Sequence, residues 1–102
     1  MAVNKLDERG IEYSEYDGHK YYNRTYAAQF VQMTDTGLRR RMDKLKKEQG
    51  IDIPLMVLPH NRQNKYIDRR ILEMLIKSVR ADREQEWFNE LRKVVDEINR
   101  EE

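Results

Sequence analysis

The chain has 102 residues, a formal net charge of +1, no cysteine, and 38% each of apolar and charged residues. That length suits one domain with a single core, and a mean hydropathy of −1.02 points to a folded unit with much exposed surface, because the apolar residues recur at regular spacings. No run of about 18 apolar residues is present to span a membrane, MAVNKLDERG has no apolar signal core, and the lack of thiols excludes disulfides and thiolate metal sites, which fits a cytoplasmic protein.

In chain order, residues 11–24 read as a β-hairpin. Asp17-Gly18 is a two-residue turn that tolerates positive φ at both centres, and Tyr13, Tyr16, Tyr21 and Tyr22 flank it. Tyr21 and Tyr22 could stack on bases, but aromatics beside such a turn are expected in the core. Residues 25–49 then read as a helix-turn-helix. Thr25 is the expected cap of a first helix carrying Ala27, Phe30 and Val31, and Thr34-Asp35-Thr36 is the polar break. A second helix follows with Leu38, Met42 and Leu45 in one apolar stripe, stopped by Gly50.

Residues 51–67 read as a wing. IDIPLMVLP is a strand-length apolar run, HNRQNK a polar tip, and KYID a second strand. Residues 68–101 are helical, opened by Asp68 as a cap. The first apolar set is Ile71, Leu72, Leu75, Ile76 and Val79; the second is Trp87, Phe88, Leu91, Val94, Val95 and Ile98. The polar stretch 80–86 favours two packed helices over one bent one.

The near-zero net charge hides an asymmetry. Residues 1–18 carry −3, residues 19–70 carry +7, and residues 71–102 carry −3. A basic middle that coincides with a helix-turn-helix and wing is the usual footprint of an anion-binding surface. On a wheel turning about 100° per residue, the face of the second helix opposite Leu38 holds Thr36, Arg40, Asp43, Lys44 and Lys47, with Arg39 on its shoulder. Arg41 lies closer to the core and is expected to pack or pair. Lysine and arginine on such a face neutralise phosphates, and arginine reads guanine edges bidentately. In the wing, Asn61, Arg62, Gln63, Asn64 and Lys65 offer amides suited to adenine edges and an arginine suited to guanine or a narrow minor groove. The bland alternatives are a solvated helix face and an ordinary polar hairpin.

No catalytic constellation emerges. His19 and His60 are far apart and no carboxylate pair accompanies them at ligand spacing; Ser14 and Ser78 sit in no nucleophile elbow; the four glycines form no phosphate loop. No cofactor or metal is therefore expected. The apolar tail of Trp87, Phe88, Leu91, Val94, Val95 and Ile98 either closes the core or forms a two-fold interface. A homodimer is the expectation, since it would place two helix-turn-helix units on neighbouring half-sites.

TYAAQFVQMTDTGLRRRMDKL resembles the helix-turn-helix of the MerR and excisionase-like winged-helix families, and NKYIDRRILEML resembles their post-wing strand and Asp-capped helix. The similarity spans about residues 22–79. A hairpin precedes the helix-turn-helix, and no cysteine-bearing effector domain follows it, so metal or drug sensing is not implied. In length and layout the chain is similar to the TcpK-like relaxosome accessory proteins of clostridial conjugative plasmids. The resemblance implies an α+β winged helix-turn-helix that binds double-stranded DNA near an origin of transfer and helps to load a relaxase. A transcriptional repressor or partition-type protein, and a helical interaction adaptor that binds no DNA, remain the alternatives.

Overall fold

The computed structural model describes residues 5–59, 61–78 and 83–101. Its elements are β1 (Lys5–Leu6), β2 (Glu12–Tyr16), β3 (His19–Asn23), α1 (Arg24–Phe30), α2 (Asp35–Gln49), β4 (Met56–Leu58), β5 (Asn61–Asp68), α3 (Arg69–Ser78) and α4 (Glu84–Arg100). The strands form one antiparallel sheet in the order β1-β2-β3-β5-β4. The class is α+β, as expected.

The β2–β3 turn has φ of 51° at Asp17 and 79° at Gly18, so both centres take the left-handed conformation that a twisted two-residue hairpin requires. Tyr21 and Tyr22 are buried, as expected of core aromatics. β1 was not anticipated. It pairs Lys5 with Tyr13 and Leu6 with Glu12. The turn behind it is organised by Asp7, whose carboxylate accepts from the Arg9 and Ile11 backbone N–H groups at 2.9 Å and from the Tyr22 hydroxyl at 2.7 Å.

α1 is capped two residues earlier than expected. Asn23 accepts from the Thr25 N–H at 2.9 Å, and Thr25 lies inside the helix. The helix also ends earlier, at Phe30, because Gln32 takes a φ of 58° and turns the Met33 N–H back onto the Ala28 carbonyl. α2 begins where the polar break predicts: Thr34 Oγ1 accepts from the Gly37 N–H at 3.0 Å. It ends at Gly50, with φ 67° and paired 3.1 Å bonds from the Gly50 and Ile51 N–H groups to the Lys46 and Leu45 carbonyls. A Cβ at Gly50 would meet nothing within 4 Å. Gly50→Ala is therefore expected to lower stability by about 1 kcal/mol through backbone strain alone, read as a lower urea midpoint with an unchanged slope.

The main core lies between the sheet and the helices. Tyr22, Leu38, Ile67, Ile71, Leu72, Leu75 and Leu91 anchor it, and a small satellite of Tyr21, Leu58 and Tyr66 sits under the β4–β5 hairpin. The C-terminal region is two helices that pack on each other, with Trp87 Nε1 donating to the Met74 carbonyl at 2.7 Å. Asp68 caps α3 through the Arg70 N–H at 2.8 Å. Val79 lies outside the described residues.

The wing differs from expectation in both strands. Ile51 and Ile53 are buried but unpaired by strand bonds, and the ladder begins only at Met56, past Pro54, which has no N–H to offer one. Asn61–Lys65, expected as a loop tip, belong to β5, which runs on to Asp68. His60 lies outside the described residues.

Candidate nucleic-acid interface

α2 divides its residues as the wheel predicts. Leu38 and Leu45 are buried, Met42 is half-buried against the core, and Thr36, Arg39, Arg40, Lys44 and Lys47 are all exposed on the other side. The ion pairs then separate these cations. Arg39 Nε lies 3.1 Å from Asp35, Lys47 Nζ 2.9 Å from Asp43, and Lys46 Nζ 3.7 Å from Asp52. Arg40 and Lys44 make no ion pair among the described residues. They stand four residues apart on one face, an arrangement that costs an isolated helix a few tenths of a kcal/mol. Such a pair suits a polyanion-binding face, and a solvated face tolerates it at that small cost.

Asp35 is a positioning residue that the sequence pattern did not single out beyond its place in the turn. It also accepts from Arg24 Nε at 3.2 Å, so one carboxylate ties the start of α1 to the start of α2 and orients Arg39. The available signal was the Asp35–Arg39 spacing of four.

The second cluster is on β5. Met56 pairs with Tyr66 and Leu58 with Asn61, so between these two pairs β4 supplies only Val57 while β5 supplies Arg62, Gln63, Asn64 and Lys65. The excess forms a bulge, and the four residues are exposed one after another, without the in-out alternation of a covered strand. Beyond them Tyr66, Ile67 and Asp68 are buried, with Tyr66 opposite Asn23 and Ile67 opposite Tyr22 on β3. The amide-and-arginine row is thus displayed on a bulged stretch of β5 that is paired at both ends and rooted in the core at its C-terminal end. Neither Arg62 nor Lys65 makes an ion pair among the described residues. α1 packs on α2 and also on β3 and β5, so one short helix braces both displayed surfaces.

The acidic ends of the chain have a local explanation. Glu8 pairs with Arg69, Arg9 reaches Glu73 at 2.7 Å, and Arg70 is held by Asp68 at 3.0 Å and Glu101 at 2.8 Å. Hydrogen bonding from Arg70 keeps the Glu101 carboxyl below its ordinary range. These contacts neutralise Arg69 and Arg70 at the start of α3.

The tail residues do not face outward as a set. Trp87, Leu91, Val95 and Ile98 are buried in the core of the single chain, and Phe88 and Val94 pack half-buried against it. Their burial needs no second copy, and the adaptor alternative loses the apolar surface that motivated it.

No family model, curated protein or solved structure matches the chain. Among the described residues no three His, Asp or Glu side chains gather as a metal site, and no helix is long and apolar enough to cross a membrane.

Proposed function

We propose that the protein is a sequence-specific double-stranded DNA-binding protein of winged helix-turn-helix type. In this reading α2 presents Thr36, Arg39, Arg40, Lys44 and Lys47 to the duplex, and β5 presents Asn61, Arg62, Gln63, Asn64 and Lys65. The observation that carries it is the display of cations without ion pairs on two elements: Arg69 and Arg70 at the start of α3 are paired, while Arg40 and Lys44 on α2 and Arg62 and Lys65 on β5 are exposed and make no ion pair among the described residues. Arg40 and Lys44 suit phosphate or groove contact along a helix. The row Arg62–Lys65 has the donor and acceptor groups that read base edges. By the likeness of length and layout drawn from the sequence, we place its action at a plasmid origin of transfer, as an accessory factor to a relaxase.

Binding selections with random duplexes, followed by anisotropy titrations on the selected site, test this. Arg62→Ala or Arg40→Ala is expected to weaken binding about 5- to 100-fold, the range for a lost base or close phosphate contact, with the circular dichroism unchanged. Affinity should fall steeply with salt. Losses within twofold for both variants, or a flat salt response, overturn the assignment.

A further inference from the structure

A cleft of about 290 Å³ opens between α2 and α4, with Arg41, Lys44 and Glu48 on one wall, Glu84 and Phe88 on the other, and Leu45 between. The two helices are pinned beside it by Arg92, which donates to both the Gln49 carbonyl and the Gln49 side-chain oxygen at 3.1 Å. Arg41 is the unusual member. Its guanidinium carbon lies over the Trp87 ring, 5.2 Å from the ring centre, and its Nε–H is sealed from solvent and has no acceptor. None of its N–H groups donates to another described residue. The sealed Nε–H keeps its cost whatever binds, but Arg41 lines the cleft and its terminal N–H groups can take an incoming acceptor.

Charge and shape narrow the acceptor. A planar guanidinium held on an aromatic ring favours a carboxylate, which it grips in a fork. Glu48 and Glu84 also line the cleft, so a phosphate dianion meets two carboxylates and gains little, whereas a single negative charge is repelled less. Phe88, half-buried, is the main apolar surface in a mostly polar lining, enough for one small ring to lie against. The volume admits a molecule of about ten non-hydrogen atoms and not a drug-sized one.

We propose that the α2–α4 cleft is a binding site for a small monocarboxylate with an apolar body. The terminal N–H groups of Arg41 take the carboxylate, Lys44 adds a second cation, and Phe88 and Leu45 cover the apolar part. Lys44 is shared with the proposed DNA face, but Arg41, Glu84 and Phe88 are not, so binding at the cleft is tested in the absence of DNA.

The test is a nuclear magnetic resonance titration of the isotopically labelled full chain with sodium benzoate, with inorganic phosphate and benzylamine as comparison probes. Benzoate is expected to give saturable shifts at the Trp87 indole and along α2 and α4, with a dissociation constant of about 1–10 mM, as suits so few atoms. Phosphate and benzylamine should shift these signals without saturating. Arg41→Gln is expected to weaken benzoate at least about tenfold, and Arg41→Lys to recover only part of the loss, because a lysine keeps the charge but not the fork. Should Arg41→Gln disturb the fold, Lys44→Gln at an exposed position supplies the second reading, with about threefold weaker binding expected. Shifts that stay linear to about 50 mM benzoate, equal binding of phosphate, or equal affinity in the wild type and in both Gln variants overturns the proposal.

Discussion

Trp87→Ala is expected to destabilise the protein by about 3–5 kcal/mol, the range for removing a large aromatic from a packed core. The side chain is 4% exposed, donates to the Met74 carbonyl at 2.7 Å, and lies 5.6 Å from the Phe88 ring. The change therefore leaves a cavity and a buried carbonyl without its donor at the one place, among the described residues, where α3 and α4 are bonded side chain to backbone. Domains of this size are stable by about 5–15 kcal/mol, so the variant sits near the folding threshold at 37 °C. Trp87→Phe keeps most of the buried area and loses only the N–H, and is expected to cost about 1–2 kcal/mol. Urea unfolding followed by far-ultraviolet circular dichroism measures both, since Trp87 is the only tryptophan and its fluorescence is lost in either variant. The same experiment tests what the tail does. If α4 closes one chain, the wild-type midpoint is independent of protein concentration; a midpoint that rises with concentration shows that burial of the tail is shared between copies.

How far the sequence was legible depends on whether a feature is local. Asp17-Gly18 and Gly50 were readable because few residues other than glycine, asparagine and aspartate tolerate positive φ, and each stands beside a change in hydrophobic period. The apolar stripe of α2 and its exposed opposite face followed from the same periodicity. Gln32 was not readable: nothing in a glutamine announces a left-handed residue, and its conformation is imposed by α1 having to stop and turn into α2. β1 was missed because two residues hold no period, and what keeps them in the sheet is the distant hydroxyl of Tyr22 on Asp7. The wing shows a third kind of error. Asn61–Lys65 have loop-like composition, yet β5 pairs with β3 and is carried through as strand by Tyr66 and Ile67, and tertiary pairing overrode the polar residues' weak preference. For the candidate site, the types of residue were visible in the sequence, and the i,i+4 spacings Asp35–Arg39 and Asp43–Lys47 offered the pairings without fixing them. Arg39, Arg40, Lys44 and Lys47 look alike until Asp35 and Asp43 are seen to take the first and last of them.

Asp7→Ala is the second large expected loss, about 3 kcal/mol, because it leaves several donors facing one buried gap. The Asp7 side chain is fully buried and accepts from the Arg9 and Ile11 backbone, from Tyr22, and from the Arg9 guanidinium at 3.4 Å, while Arg9 reaches on to Glu73. Burial by itself would raise its carboxyl, but the Tyr22 hydroxyl, the two backbone N–H groups and the Arg9 charge outweigh it and hold the group below its ordinary value. A depressed carboxyl contributes stability that is complete above the unfolded value near pH 4 and is lost as pH falls through the lower folded value. Stability in acid should therefore drop less steeply in Asp7→Ala than in the wild type. At the other end of the scale, burial and the bond to Asp7 push the Tyr22 hydroxyl up to about 12. The folded state then keeps a proton that the unfolded chain gives up near pH 10, so the contribution is complete below pH 10 and is lost between about pH 10 and 12. Tyr22→Phe removes the titrating group. It is expected to cost about 1–2 kcal/mol at neutral pH through the lost bond, and to flatten the alkaline decline. A neutral-pH loss with an unchanged alkaline slope would mean that the hydroxyl is packed there without being held in its protonated form by Asp7.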